Sequence, residues 1–251
     1  MNYLFFIPLG LAPSIIWLLF YLRKDVHPES NKMIVKIFFY GMLAAIIAAG
    51  IEIGISLTLT MLAPELPHIF PIAFFIVSHF IIIALVEELS KFLIVKEKAI
   101  KDPEFDEPMD AMLYMIITAL GFAALENLLV LFPETNFPIL KEALAISVFR
   151  FIGATFLHAL SSGALGYFLA LSIFEPKKRI KLISLGVTLA TVLHGFFNIF
   201  IIGIEKSIIN ENQPLLIALI AALAILLIGL SFFVSFGFRK LKKLASVCKT
   251  T

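Results

Sequence analysis

The stretch from Ile72 to Val95, IAFFIVSHFIIIALVEELSKFLIV, decides the fold. As a helix it rises about 36 Å, enough to cross the ~30 Å hydrocarbon core of a bilayer. Its apolar residues admit no aqueous face. Yet it carries Glu87, Glu88 and Lys91, groups that each cost roughly 2.5 to 3.5 kcal/mol at the centre of a spanning helix on insertion scales. A segment that is both membrane-spanning and charged needs partners, water or a function for those charges.

Working outward, comparable apolar runs occupy Tyr3 to Leu22, Ile34 to Leu62, Ala111 to Phe132, Ala143 to Phe174, Leu182 to Ile204 and Leu215 to Phe238. The expected architecture is all-α and polytopic, with about seven transmembrane helices. The composition agrees: of 251 residues 61% are apolar and only 15% charged, against roughly 25% charged in soluble domains. Short connectors leave no room for an aqueous domain, so residues 1–251 read as a single transmembrane domain ending in a basic tail over 239–251. The first run lacks a basic leader and reads as a retained helix rather than a cleaved signal peptide. The only cysteine, Cys248, excludes a disulfide framework and a cysteine-rich metal site. It reads as a bystander in the tail.

The basic residues alternate between connectors. Arg23, Lys24 and Lys32 follow the first span, Lys96, Lys98 and Lys101 the third, Lys177, Lys178, Arg179 and Lys181 the fifth, and Arg239, Lys240, Lys242 and Lys243 the seventh. The other connectors hold Lys141 and Lys206. Retention of Lys and Arg on the cytoplasmic side then predicts an outer N-terminus and a cytoplasmic C-terminus in an integral cell-membrane protein. Because the basic residues serve topology and the net charge is only +2, nucleic acid is not an expected partner. The bilayer is one. The sequence assigns no oligomeric state.

Other ionisable or polar groups stand at similar depth. At 1.5 Å per residue, Glu87 lies ~13 Å inside the edge marked by Lys96, His194 ~20 Å from Lys181, Glu126 ~24 Å from Asp110 and His158 ~22 Å from Ala143. Four helices thus bring acids and imidazoles towards one level, as a buried site in a bundle requires. His194 and Asn198 share a face at i and i+4, as do Glu87 and Lys91, while Glu88 and Lys91 stand at i and i+3. The ammonium can neutralise either carboxylate and leave the other as a general base. Structural roles compete with this reading. Glu87, Glu88 and Lys91 suit an ion pair, His158 and His194 interhelical hydrogen bonds, Asn198 helix association, and Glu126 with Asn127 the bracing of a neighbour. Glu52, His79 and Arg150 have no partner that spacing can name. In span two, the small residues Ala44, Ala45, Ala48, Ala49, Gly50 and Gly54 predict close helix contact.

The ordered set Glu87-Glu88-x-x-Lys91, Asp106-Glu107-Pro108-Met109-Asp110 leading into Phe122-Ala-x-x-Glu126-Asn127, His158-Ala-x-x-Ser162-Gly163 and His194-x-x-x-Asn198 resembles the PrsW family of intramembrane proteases over about 72–200. Ala111 after Asp110 and Met115 after Tyr114 depart from the family's glycines, which bears on packing more than on chemistry. The resemblance implies a membrane-embedded endopeptidase, in a clan with type II CAAX prenyl endopeptidases and the non-proteolytic APH subunit of γ-secretase. Its implied substrate is a membrane-anchored protein such as an anti-sigma factor. By analogy, Glu87, Glu88, His158 and His194 would activate water, with Glu126 nearby and Asn198 stabilising the oxyanion.

The family is classed with metallopeptidases, although the compact His-Glu-x-x-His zinc motif is absent here. Two versions stay open. In one, Glu87, His158 and His194 hold zinc, which lowers the pKa of a water; in the other, a Glu and a His deprotonate water without metal. A proton- or cation-coupled transporter and a non-catalytic membrane scaffold are the alternatives to a protease.

Overall fold

The computed structural model of the chain describes residues 3–24, 28–133 and 138–248. Apart from turns and connectors the described residues are helical, with no strand among them. The main helices are α1 (Phe6–Leu22), α2 (Asn31–Leu62), α3 (Pro71–Ala99), α4 (Pro108–Leu131), α5 (Leu140–Ile152), α6 (Ala154–Phe174), α7 (Arg179–Ile209) and α8 (Gln213–Cys248). Among the described residues, six spans are long and apolar enough to cross a membrane, α5 and α6 together counting as one. The first expected span is shorter, with 17 residues in α1. The side chain of Cys248 lies outside the described residues.

Helix ends follow local chemistry. Ser30 caps α2, its hydroxyl accepting from the Met33 amide at 3.1 Å, which satisfies a donor that the first turn leaves open. Pro108 opens α4 in the first turn, where a missing N–H costs nothing. Asp110 Oδ2 then accepts from the amides of Asp106 and Glu107 at 2.9 and 2.7 Å. The acidic loop is therefore a helix cap.

Two expected spans are less regular than their hydropathy implies. α3 passes through π-helical turns at Ser78–Leu85 and again at Val95–Ala99, either side of the α-helical Val86–Ile94. Such i→i+5 turns change which face the following residues present. The run Ala143 to Phe174 breaks at Gly153, whose φ of −98° and ψ of −96° are not helical. Without a Cβ, glycine adopts that conformation at little steric cost.

The core is built on α4, which is apolar all round and accordingly surrounded by protein. Side chains from Ala111 to Leu120 are buried, including those of Met112, Met115 and Ile116. α1, α2, α6 and α8 pack around it. The crossing with α2 is close enough to depend on two glycines. A Cβ on Gly121 would stand 2.0 Å from the Phe38 carbonyl oxygen, and one on Gly41 2.1 Å from that of Thr118. Ala44, Ala45 and Ala48 continue this contact as expected, whereas Gly50 and Gly54 face open space. Ala111 and Met115 are both fully buried in α4. Residues such as Phe39, Ile46, Ile53, Phe149, Ile217 and Phe232 point outward, an apolar exterior that suits lipid tails rather than water.

Candidate metal and catalytic centre

The α-helical turn between the two π segments of α3 carries Glu87, Glu88 and Lys91 inward, all three buried. Lys91 has no solvent exposure. Its ammonium lies 2.9 Å from Glu88 Oε1 and 3.4 Å from Glu87 Oε2, and 4.3 Å from the centre of the Phe122 ring. It therefore neutralises both acids, which spacing alone left undecided. It also donates to His158 Nδ1 at 2.8 Å. An imidazole accepting at Nδ1 carries its proton on Nε2, and His158 Nε2 accordingly donates to Glu126 Oε2 at 2.8 Å.

Glu88 is saturated. Oε1 accepts from Lys91, from Ser161 Oγ at 3.2 Å and from His194 Nδ1 at 3.0 Å, and Oε2 accepts from Ser162 Oγ at 2.8 Å. Donation from Nδ1 leaves the lone pair of His194 on Nε2, 3.8 Å from Glu87 Oε2. The acceptor nitrogen of His158, Nδ1, is 3.9 Å from the same oxygen. The two imidazoles meet edge to face, with centroids 4.9 Å apart.

One ligand atom from each of Glu87, His158 and His194 thus falls within 4.8 Å of the other two. Ligands 2.0–2.1 Å from a tetrahedral ion stand ~3.3 Å apart, so the two edges through Glu87, at 3.8 and 3.9 Å, ask for a contraction of about half an ångström. The donor chemistry fits a divalent metal, because each imidazole is backed by a carboxylate: Glu126 for His158 and Glu88 for His194. Such outer carboxylates fix the tautomer and orientation of metal-binding histidines. The Lys91 ammonium occupies the lone pair of His158 Nδ1, so a metal held there would replace that hydrogen bond.

Around this centre, Arg150 pairs with Glu126 at 3.1 Å and hydrogen-bonds Asn127. Asn127 also donates to Thr155 Oγ1 at 3.0 Å. Asn127 is thus the brace that sequence reading allowed for, while Glu126 joins the centre through His158. Asn198 is half-buried one turn along α7 from His194 and makes no hydrogen bond among the described residues. His79 is spent locally on the Phe75 carbonyl oxygen, 2.7 Å away.

Four residues lacked a role in the sequence. Ser161 and Ser162 hold Glu88, and their positions three and four residues after His158 place them on its face, a usable signal. Arg150 offers none, since its partners are on α4. Glu52, one turn beyond buried Ala48, has a buried Oε1 with no hydrogen-bond partner among the described residues.

A multi-pass helical membrane protein with a buried, carboxylate-backed pair of imidazoles and a third carboxylate has the parts that an intramembrane metalloprotease requires. The comparisons sharpen this: the description "PrsW family intramembrane metalloprotease" matches residues 29–229, and the chain belongs to that family. The match extends beyond the 72–200 core to take in α2 and part of α8. Proteins named Protease PrsW are similar to it. That of Bacillus subtilis is 27% identical, covering 95% of this chain and 94% of the relative. That of Geobacillus kaustophilus is 26% identical over 78% of this chain and 80% of its own, and that of Clostridioides difficile 33% identical over 50% and 52%. No solved structure matches the chain. Family membership makes this an intramembrane endopeptidase and favours proteolysis over the transporter and scaffold alternatives.

Proposed function

We propose that Glu87, His158 and His194 hold a zinc ion and that the protein cuts a membrane-anchored protein, an anti-sigma factor being the substrate that family resemblance suggests. The carrying observation is the convergence of Glu87 Oε2, His158 Nδ1 and His194 Nε2. Bound zinc supplies Lewis acidity, which brings deprotonation of water into the neutral range. The chain's own groups do the rest. Glu87 is 6% exposed, and its Oε1 has no hydrogen-bond partner among the described residues; it accepts the proton of the attacking water. Glu88, saturated by four donors, positions His194 and is not the base. Glu126 orients His158. Lys91 offsets the charge of the paired acids, and the uncommitted amide of Asn198 donates to the developing oxyanion.

A metal-free version in which Glu87 and His194 Nε2 deprotonate water draws support from the direct Lys91–His158 hydrogen bond, which already occupies the Nδ1 lone pair that a metal would need. The whole chain forms one transmembrane unit, its N-terminus outside and its basic tail in the cytoplasm, on the strength of the alternating Lys and Arg. The substrate enters partly unwound, because only an unwound backbone presents its carbonyls.

The test is cleavage of single-span substrates, including an anti-sigma-factor anchor, by purified protein in lipid. Glu87→Gln and His194→Ala are expected to abolish cleavage while remaining folded. Chelation is expected to stop wild-type cleavage and zinc to restore it. Chelator-insensitive cleavage by metal-free protein would select the metal-free version, and cleavage surviving Glu87→Gln would remove Glu87 from the base role.

A further inference from the structure

A second polar and apolar constellation lies away from this centre, where α1 meets α8 beside the α5–α6 junction. It is a cleft of about 620 Å³, within the ~300–1,000 Å³ of small-molecule sites. One wall is aromatic and rigid: Trp17 stacks on Phe156 with centroids 4.1 Å apart and on Phe151 at 5.1 Å. Its Nε1 donates to the Phe151 carbonyl oxygen at 2.9 Å. Phe238 of α8 lines the cleft as well.

The chemistry changes at one end. Lys24, two residues past the end of α1, and Arg239 on α8 both line the cleft. The Lys24 ammonium is 4.9 Å from the centre of the Phe20 ring, and Arg239 Nε donates to the Ser235 carbonyl oxygen at 3.3 Å. Neither forms an ion pair with a carboxylate among the described residues. Tyr21, also lining the cleft, has a hydroxyl without a hydrogen bond among those residues. Two cations without a carboxylate partner and a hydroxyl without a hydrogen bond, among the described residues, thus flank an apolar slot between the end of α1 and α8.

We propose that this cleft is a binding site for one anionic phospholipid, its acyl chain against Trp17 and Phe238 and its phosphate on Lys24 and Arg239. The charges complement: basic pockets between spanning helices at the membrane surface recognise anionic headgroups, and the aromatic wall offers a tail an ordered surface. A zwitterionic lipid fills the slot equally well but brings no net charge to the two cations. Phe156 lies two residues from His158, on another face of α6, so the lipid seats behind the helix that presents one imidazole. The site is independent of the proteolytic reading.

The test uses full-length protein in detergent, titrated with phosphatidylglycerol or phosphatidylcholine of identical chains and read by native mass spectrometry. One phosphatidylglycerol is expected to remain bound in preference to phosphatidylcholine. The double variant Lys24→Gln/Arg239→Gln is expected to lose that preference by roughly tenfold or more, with phosphatidylcholine binding unchanged. A second double variant, Arg179→Gln/Lys181→Gln, removes the same charge from exposed positions elsewhere and is expected to keep the preference. Equal retention of both lipids by the wild type, or equal losses in the two double variants, would overturn the assignment.

Discussion

Lys91 is the residue on which the buried centre balances. A fully buried ammonium with two carboxylates, an imidazole and an aromatic face around it is stable only while all are present. Removing one member of such a set leaves uncompensated buried charge and typically costs about 3–5 kcal/mol. Lys91→Met is therefore expected to lower stability by that order in a detergent unfolding titration, and adding Glu88→Gln to recover part of it. Glu52 poses the opposite case. Its orphaned oxygen carries the desolvation cost of an unmade hydrogen bond, ~1–3 kcal/mol, so Glu52→Leu should raise Tm. If cleavage falls in the same variant, Glu52 serves the site at the expense of the fold; a higher Tm with unchanged cleavage would remove it from the site. These residues also mark what was legible in the sequence. Glu87, Glu88, Lys91, His158 and His194 declare themselves because charge and imidazole in an apolar run have no bland explanation as a group. Arg150 and Glu52 do not, because what distinguishes them is the presence or absence of a partner on another helix.

At the scale of elements, α2 and α4 depend on contact without side chains. Gly121→Val would drive a side chain into the Phe38 carbonyl, and overpacking of this kind costs about 1–3 kcal/mol or more. The expected result is a lower Tm, with cleavage lost at temperatures where the wild type is active. The N-terminal end of α2 is fastened differently. Lys36 hydrogen-bonds Asp102 at 3.0 Å and holds that carboxyl below the usual carboxylate range. Because the folded value is the lower one, the tie is complete above the ordinary carboxylate pKa near 4 and is lost as pH falls through the depressed value. Amide exchange across 100–106 should accelerate only at that acid extreme, and Asp102→Asn should abolish the pH dependence. Element positions were largely legible, since an apolar run of spanning length permits little else. The π turns of α3 and the break at Gly153 were not. Hydropathy records how apolar a stretch is, and a change from i→i+4 to i→i+5 bonding leaves it unaltered.

At the scale of the whole molecule, the two flanks of the centre are fastened unequally. On one flank, α5 is tied by Ser147 to the Leu9 carbonyl at 2.8 Å and by Arg150 to Glu126 and Asn127. On the other, the side-chain hydrogen bonds of α2 beyond residue 40 among the described residues run within the helix itself, Thr58 to Gly54 and Thr60 to Ser56, and Gly50 and Gly54 face open space. Between helices in a bilayer, apolar contacts exchange for lipid tails with no hydrophobic penalty, so beyond the close Gly41–Ala48 packing the polar ties distinguish the two flanks. Spin labels at Ile53 on α2 and Ile81 on α3 should therefore give a broader distance distribution than labels at Leu19 on α1 and Leu144 on α5; equal widths would contradict the difference. The stretch of α2 beyond residue 40 is thus a door without a latch, whereas α5 is latched both to α1 and to α4.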